Sequence, residues 1–317
     1  MNIHADCTNY HFPVNILLED ASRLFEHFSD TAELKRDFLS GTLSKKLQLI
    51  STDEKISDSA ECIRHFDEEN NEYYQITVWD NYCQYLWSLC YAVLVVMDEC
   101  LVKPIMAPKE KCDQKKLNES YEVFMTAMAL YDPKREMPHP RVFYELPNPV
   151  SHETDKNVKA ANILFVTCLC FILFHEYQHY KLGHMEQDGN KSDEYAADYT
   201  AFYQMYEEST PKEKKYVPYG IIMTLGSLFF ADDTMEGGTH PDPDCRLKSL
   251  ILCMDNLDPR SKEYCYGMGI TLYRLWAFYY SHENVIPEIE PDTSVEDYFE
   301  RVQQAVISFK SSQTVRI

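Results

Sequence analysis

Residues Ala160–Phe174 form a run of fifteen that is apolar apart from Asn162 and Thr167, and it ends directly on His175 and Glu176. No other feature constrains the fold as much, because so much apolar surface has to leave water. Two shorter runs, Leu86–Met97 and Ile221–Ala231, make the same demand. A membrane span needs roughly 20 apolar residues, and ionisable side chains are poorly placed in lipid. The runs therefore read as buried core helices of a soluble chain.

Helical periodicity extends well beyond these runs. It predicts helices over Val14–Phe28, Asp80–Cys100, Leu117–Leu130, Asn157–His184, Ser192–Glu208, Tyr219–Ala231, Asp244–Met254, Lys262–Ser281 and Val295–Phe309. The last follows Thr293-Ser294-Val295-Glu296, a capping-box pattern. Glycine is scarce, 9 of 317 residues, which leaves few tight hairpins and favours helices. Strand signals are limited to Tyr73–Trp79 and to Arg141–Leu146 between prolines. The expected class is mainly α (α+β) with a small β-sheet. Residues 1–115 are expected to be a mainly helical region with a recognition role. Residues 116–317 are expected to carry the chemistry, with their core at 155–255.

Charge narrows the partners. Lys and Arg number 30 against 51 Asp and Glu, a net −21. Nucleic acid and anionic membrane surfaces both require a basic footprint, so neither is expected, and a neutral or basic protein surface fits better. The 11 cysteines are odd in number and irregularly spaced, and none forms Cys-x-x-Cys. Cys168 and Cys170 lie two apart within a predicted helix and so point to different faces. No basic segment followed by an apolar one begins the sequence, and a reducing, cytoplasmic setting is expected.

The chemistry concentrates after the long run. His175-Glu176-Tyr177-Gln178-His179 is a His-Glu-x-x-His motif. Residues four apart share a helical face, so both imidazoles can reach one zinc ion, with Glu176 beside it to deprotonate water. A third ligand must come from nearby chain. A Gly-x-x-His continuation is ruled out, because Leu182 and Met185 occupy its key positions and His184 is one residue off. Glu194 is favoured, fifteen residues after His179 across a turn at Asp188-Gly189-Asn190, with Glu186 and His184 as alternatives. Asp198, one helical turn beyond Glu194, can accept a hydrogen bond from the outer nitrogen of a ligating histidine. A third segment, Thr239–Arg246, follows Gly237-Gly238. His240 there either donates to a developing oxyanion or caps the helix starting near Asp244. Arg246 either anchors that turn or pairs with Asp198.

Taken in order, His175-Glu176-x-x-His179, Glu194-x-x-Ala197-Asp198 and His240-Pro241-x-x-x-x-Arg246 resemble the gluzincin metallopeptidases. The phage-exclusion (Lit-type) peptidases and the heat-shock/CAAX-prenyl-protease clan are both similar at these motifs. The second group is usually membrane-embedded, so the first fits better. The resemblance covers roughly residues 160–250. It implies zincin-like helices, a Zn2+ cofactor held by His175, His179 and Glu194, and peptide hydrolysis with Glu176 as catalytic acid/base. It also strengthens the functional reading of His240. Phage-exclusion peptidases are cytosolic and attack a translation factor during infection, but residues 1–155 carry no signature that would transfer that substrate.

The expectation is thus a zinc-dependent endopeptidase acting on an intracellular protein, of phage-defence type, restrained by an activating or inhibitory partner. One alternative is a non-catalytic zinc-stabilised binding protein, in which His184 or a cysteine fills the fourth position. Another is a zinc hydrolase of a small molecule, which predicts a deep closed pocket. A peptidase predicts an open groove beside an edge strand, for which Arg141–Leu146 is the expected segment.

Overall fold

The computed structural model describes residues 2–5, 12–28, 32–52, 54–57, 59–107, 109–184, 190–238, 240–254, 256–290 and 292–314. The chain begins with strand β1 (Asn2–Ala5), then a 3-10 turn at Pro13–Leu17 leading into helix α1 (Leu18–Phe28), and helix α2 (Ala32–Ser40). Strands β2 (Lys46–Ile50), β3 (Ala60–Phe66) and β4 (Glu72–Trp79) follow. Next come α3 (Asp80–Met97), extended by a π-turn at Asp98–Val102, then α4 (Lys103–Met106), α5 (Gln114–Tyr131) and α6 (Val142–Glu145). The remaining helices are α7 (Lys156–Lys181), α8 (Lys191–Glu208), α9 (Val217–Ser227), α10 (Pro243–Cys253), α11 (Pro259–Tyr279) and α12 (Val295–Thr314). The mainly helical class with a small sheet is the one the sequence predicts.

The sheet has the order β1-β2-β4-β3. β1, β2 and β4 run parallel, and β3 is antiparallel to β4 at the edge. All four strands lie within residues 2–79. The first 115 residues therefore supply the whole sheet as well as α1 to α4.

Helix α7 is the spine. Asp155 caps it by accepting the Asn157 N–H, and the chain turns away at Gly183, whose φ of +73° suits a residue without Cβ. Along its middle, Phe165, Cys168, Leu169, Cys170, Phe171, Leu173 and Phe174 are buried. Each large apolar side chain removed from water contributes roughly 1.5–3 kcal/mol, so packing rather than helix propensity holds α7 in place. It contacts α1, α3, α8, α9, β3 and β4. A single buried cluster runs from Phe12 to Val306 and joins both halves of the chain. By length and composition, α7 and the stretch Asp80–Val102 are each long and apolar enough to cross a membrane. In this fold 72% and 67% of their most apolar stretches are buried inside the protein.

Two local expectations need correction. Arg141–Leu146 is not a strand: Val142–Glu145 form helix α6. Backbone bonds from Val142 to His139, Phe143 to Pro140 and Tyr144 to Arg141 close a short helical turn behind Pro140, and Phe143 is buried. Proline tolerates the start of a helix, and the adjacent aromatics Phe143 and Tyr144 sit on that turn. The cap of α12 is Ser294 rather than Thr293: its Oγ accepts the Asp297 N–H and donates to the Asp297 carboxylate.

Candidate active site

The last turns of α7 and the first turn of α8 face each other across the Gly183 reversal. Asn190 caps α8 in a reciprocal capping box with Asp193, which fixes the helix start four residues before Glu194. Glu194 thereby sits where the helix dipole favours a carboxylate. Ala197 is fully buried, and its small side chain lets the helices approach.

His175, His179 and Glu194 form a group able to hold a metal ion, their donor atoms all within 4.8 Å of one another. His175 Nε2 lies 3.0 Å from His179 Nε2. Glu194 Oε2 lies 3.4 Å from His175 Nε2, and its Oε1 lies 3.4 Å from His179 Nε2. Bonds of roughly 2.0–2.1 Å around a tetrahedral zinc give ligand–ligand edges of about 3.3–3.4 Å, so both the spacing and the N,N,O donor set fit that ion. Electrostatics agree. Burial disfavours a charge on His175, yet the Asp198 and Glu194 carboxylates outweigh it and raise its pKa to about 10. Burial likewise opposes ionisation of Glu194, and the surrounding imidazoles of His175, His179 and His240 hold it far below the usual carboxylate range. This pocket attracts positive charge.

The outer nitrogens of both histidines are occupied. His175 Nδ1 lies 2.9 Å from Asp198 Oδ1. Arg246 grips the same carboxylate with two bonds of 2.7 Å, from Nε and Nη2, and its Nη1 sits 3.1 Å from Glu194 Oε2. Arg246 thus pairs with Asp198, one of the two roles open to it in the sequence. His179 Nδ1 lies 3.1 Å from His184 Nδ1, and His184 Nε2 is 3.7 Å from Asp193 Oδ1. His184 therefore supports His179 from behind and does not enter the donor group. Glu186 lies outside the described residues, as do Asp188 and Gly189 of the expected turn.

Glu176 is partly exposed beside the donor group. Burial is the largest influence on its carboxyl and, with Glu194 nearby, raises its pKa to about 7, against the opposing pull of His175. The backbone of Cys62 in β3 lies beside it and favours its ionised form. Cys62 pairs with Ile76 of β4 across the antiparallel ladder. In such a ladder, alternate residues turn both N–H and C=O away from the partner. β3 is the last strand in the sheet order and packs against α7, so it borders the site. The edge strand was expected at Arg141–Leu146 and is supplied instead by Ala60–Phe66. Its one buried position is Cys62, and the polar Glu61, Arg64 and His65 interrupt its apolar residues.

His240 approaches from the loop before α10. Its Nδ1 lies 3.2 Å from Glu194 Oε1, and its side chain is 61% exposed. The N-cap position of α10 belongs to Asp242, so His240 is turned to the site rather than to the helix. Tyr219 packs on Tyr264 at 4.7 Å between ring centroids.

The far end of α7 is braced as well. Tyr177 Oη and Lys181 Nζ donate to the buried Asp37 carboxylate of α2, at 3.0 and 3.2 Å. Neither that brace nor the β3 contact is marked by any motif. A second acidic group, Asp242, Asp244 and Cys245, also has metal-like spacing, but the Lys310 ammonium lies 2.5 Å from Asp242 Oδ2 and 2.7 Å from Asp244 Oδ1. Among the described residues no disulfide forms.

Comparison with known proteins adds the family. No curated protein and no solved structure matches the chain. Residues 76–269 match the sequence model of the family described as Peptidase U49. That match spans 194 of the 317 residues, from β4 to α11, and includes His175, Glu176, His179, Glu194, Asp198, His240 and Arg246. The chain belongs to the peptidase family U49.

Proposed function

We propose that the chain is a zinc-dependent endopeptidase of the gluzincin, Lit-like type. The observation that supports this most directly is the donor group of His175, His179 and Glu194, with Glu176 beside it and the edge strand β3 next to it. Zinc held by those three side chains supplies a Lewis acid for a scissile carbonyl and lowers the pKa of water. The chain's own residues do the rest. Asp198 and His184 orient the two imidazoles, and Arg246 fixes Asp198. The carboxylate of Glu176 takes a proton from water and returns it to the leaving amine. An extended substrate pairs with the outward groups of β3. His240, at the rim, donates to the developing oxyanion.

The proposed substrate is an intracellular protein with a neutral or basic surface, matched to a chain of net charge −21. A toxic intracellular peptidase needs restraint, so a phage-defence role with a triggering partner belongs to the same proposal. The reading as a closed, non-catalytic zinc site is disfavoured by His184, which sits behind His179 rather than in a fourth position.

The test is Glu176→Gln. In host lysate followed by mass spectrometry, wild type should generate new peptide termini that the variant does not. Zinc content should be unchanged, and turnover should fall by about 10²–10⁴-fold. Equal cleavage by the variant overturns the mechanism, and a wild type that binds no zinc overturns the whole proposal.

A further inference from the structure

We infer that Lys310, on the last helix, is a positioning residue for His240, an inference that rests on the reading of His240 given above. The loop between the 3-10 turn at Leu228–Phe230 and α10 carries His240 without regular secondary structure. It is tightly folded. Met235 is fully buried with φ of +54°, in the left-handed region that a side chain disfavours. The His240 N–H donates to Gly237 O at 2.9 Å. A Cβ on Gly237 would meet the carbonyl oxygens of Pro241 and His240 at 2.4 and 2.5 Å, so only glycine fits this fold-back. A loop in this conformation needs an external hold.

Lys310 supplies it at both ends. Its ammonium donates to Met235 O at 3.3 Å, where the segment enters, and to Asp242 Oδ2 and Asp244 Oδ1, where it leaves. The other oxygen of Asp242 accepts the Gly237 N–H at 3.2 Å. Asp242 stands at the N-cap of α10 yet makes no side-chain capping bond. An aspartate there ordinarily satisfies the first helical N–H groups; this one is committed to Lys310 and the fold-back instead. Lys310 is only 11% exposed in its side chain, and the Asp244 side chain is fully buried. The path is continuous: Lys310 holds Asp242, Asp242 holds Gly237, and the closed loop presents His240 to within 3.2 Å of Glu194. The C-terminal helix thereby sets the geometry of the site from more than sixty residues away in sequence.

The test uses the full chain, zinc-loaded and zinc-free, with Lys310→Met, Lys310→Arg and His240→Ala. Hydrogen exchange at residues 235–242 reads the tether directly, without reference to activity. Lys310→Met should speed exchange there by about tenfold or more in both forms, with zinc content unchanged. On the host peptide bond whose cleavage Glu176→Gln abolishes, kcat should fall by about tenfold with KM nearly constant. Adding His240→Ala to Lys310→Met should cost little more than the larger single effect, because both act through one side chain. Lys310→Arg should restore most of the rate. If Lys310→Met does not fold, Asp242→Asn removes the charge partner while keeping an acceptor for Gly237, and should loosen the same residues. Unchanged exchange in both variants overturns the inference. A loosened loop in a background where His240→Ala is fully active keeps the tether and overturns the catalytic reading of His240.

Discussion

Two clusters of acidic and metal-capable side chains lie near one another in this fold, and they solve the same electrostatic problem differently. At Asp242 and Asp244 the chain provides its own cation, the Lys310 ammonium, so the cluster is complete. At His175, His179 and Glu194 the arginine in contact, Arg246, is committed bidentately to Asp198 and touches Glu194 from one side. The inner nitrogens of the two imidazoles converge on the Glu194 carboxylate, and among the described residues no lysine or arginine is paired with them. Spacing alone qualifies both clusters; the identity of the balancing charge separates them.

That contrast is broken or sharpened most strongly by counting zinc. Wild-type protein should hold one zinc per chain. His179→Ala should lose it on dialysis, since a structural or catalytic zinc needs at least three protein ligands. Asp244→Asn should keep it. Elemental analysis after dialysis gives the answer: zinc lost from Asp244→Asn, or two zinc ions in wild type, would make the second cluster the metal site and erase the distinction.

Next in size is the coupling between the clusters' neighbours. Asp198 is 1% exposed, with Arg246 on one side and His175 on the other. Asp198→Ala removes the bidentate partner of the buried guanidinium and leaves it only the Glu194 contact, at a cost of about 3–5 kcal/mol to folding. It should also weaken zinc binding by about 10–100-fold through loss of the contact to the outer nitrogen of His175. Asp198→Asn keeps an acceptor and should lose less of both. Denaturant melts and competition with a zinc chelator measure the two effects separately. A variant with full zinc affinity would mean that Asp198 serves Arg246 alone.

How much of this was legible follows from range along the chain. The nine periodic segments correspond to helices because i to i+4 spacing is written locally, and His175, Glu176 and His179 are placed by the same rule. Glu194 and Asp198 were reachable because one reversal separates them from His179 and each lies at helical spacing from the other. The strands β1, β2 and β3 escaped notice. Lys46–Ile50 is short, and Ala60–Phe66 is an edge strand whose polar residues carry almost no alternation. Arg141–Leu146 failed for the converse reason: its aromatic and branched residues have strand propensity, but Pro140 and tertiary burial of Phe143 favour a helical turn. The brace of Tyr177 by Asp37 and the tether of His240 by Lys310 join residues 140 and about 70 positions apart. No periodicity reports such pairs. His184 had a visible cue, its place five residues after His179, but the cue suggested a ligand and the fold made it a support.

The smallest expected effect is also the cleanest separation of the two clusters, because acid acts on them at different pH. Zinc requires neutral imidazole, and the carboxylates that raise the His175 pKa to about 10 in the metal-free site favour the competing proton, so acidification should release the metal, by about pH 6 at the latest. The Lys310 tether has no histidine in it. Burial opposes the charge on Asp242, but Lys310 and the Gly237 N–H outweigh it and lower its pKa. A carboxyl lowered in the folded state stabilises above its unfolded pKa of about 3.9 and loses that contribution only as pH falls through its lower folded value. Lys310 is buried against its own charge, yet the two aspartates raise its pKa. Its contribution is therefore complete below about pH 10.4, the unfolded lysine value, and fades only as pH rises through the folded one. Between about pH 5 and 9 the tether should thus be constant. The melting-temperature difference between wild type and Lys310→Met, measured on protein loaded with zinc at neutral pH, should be flat over that range and shrink only below about pH 4. Zinc release, followed with a fluorescent chelator, should already be complete by about pH 5. A Lys310→Met difference that vanishes together with zinc near pH 6 would show that the two clusters are one coupled unit, with the tether dependent on the metal rather than independent of it.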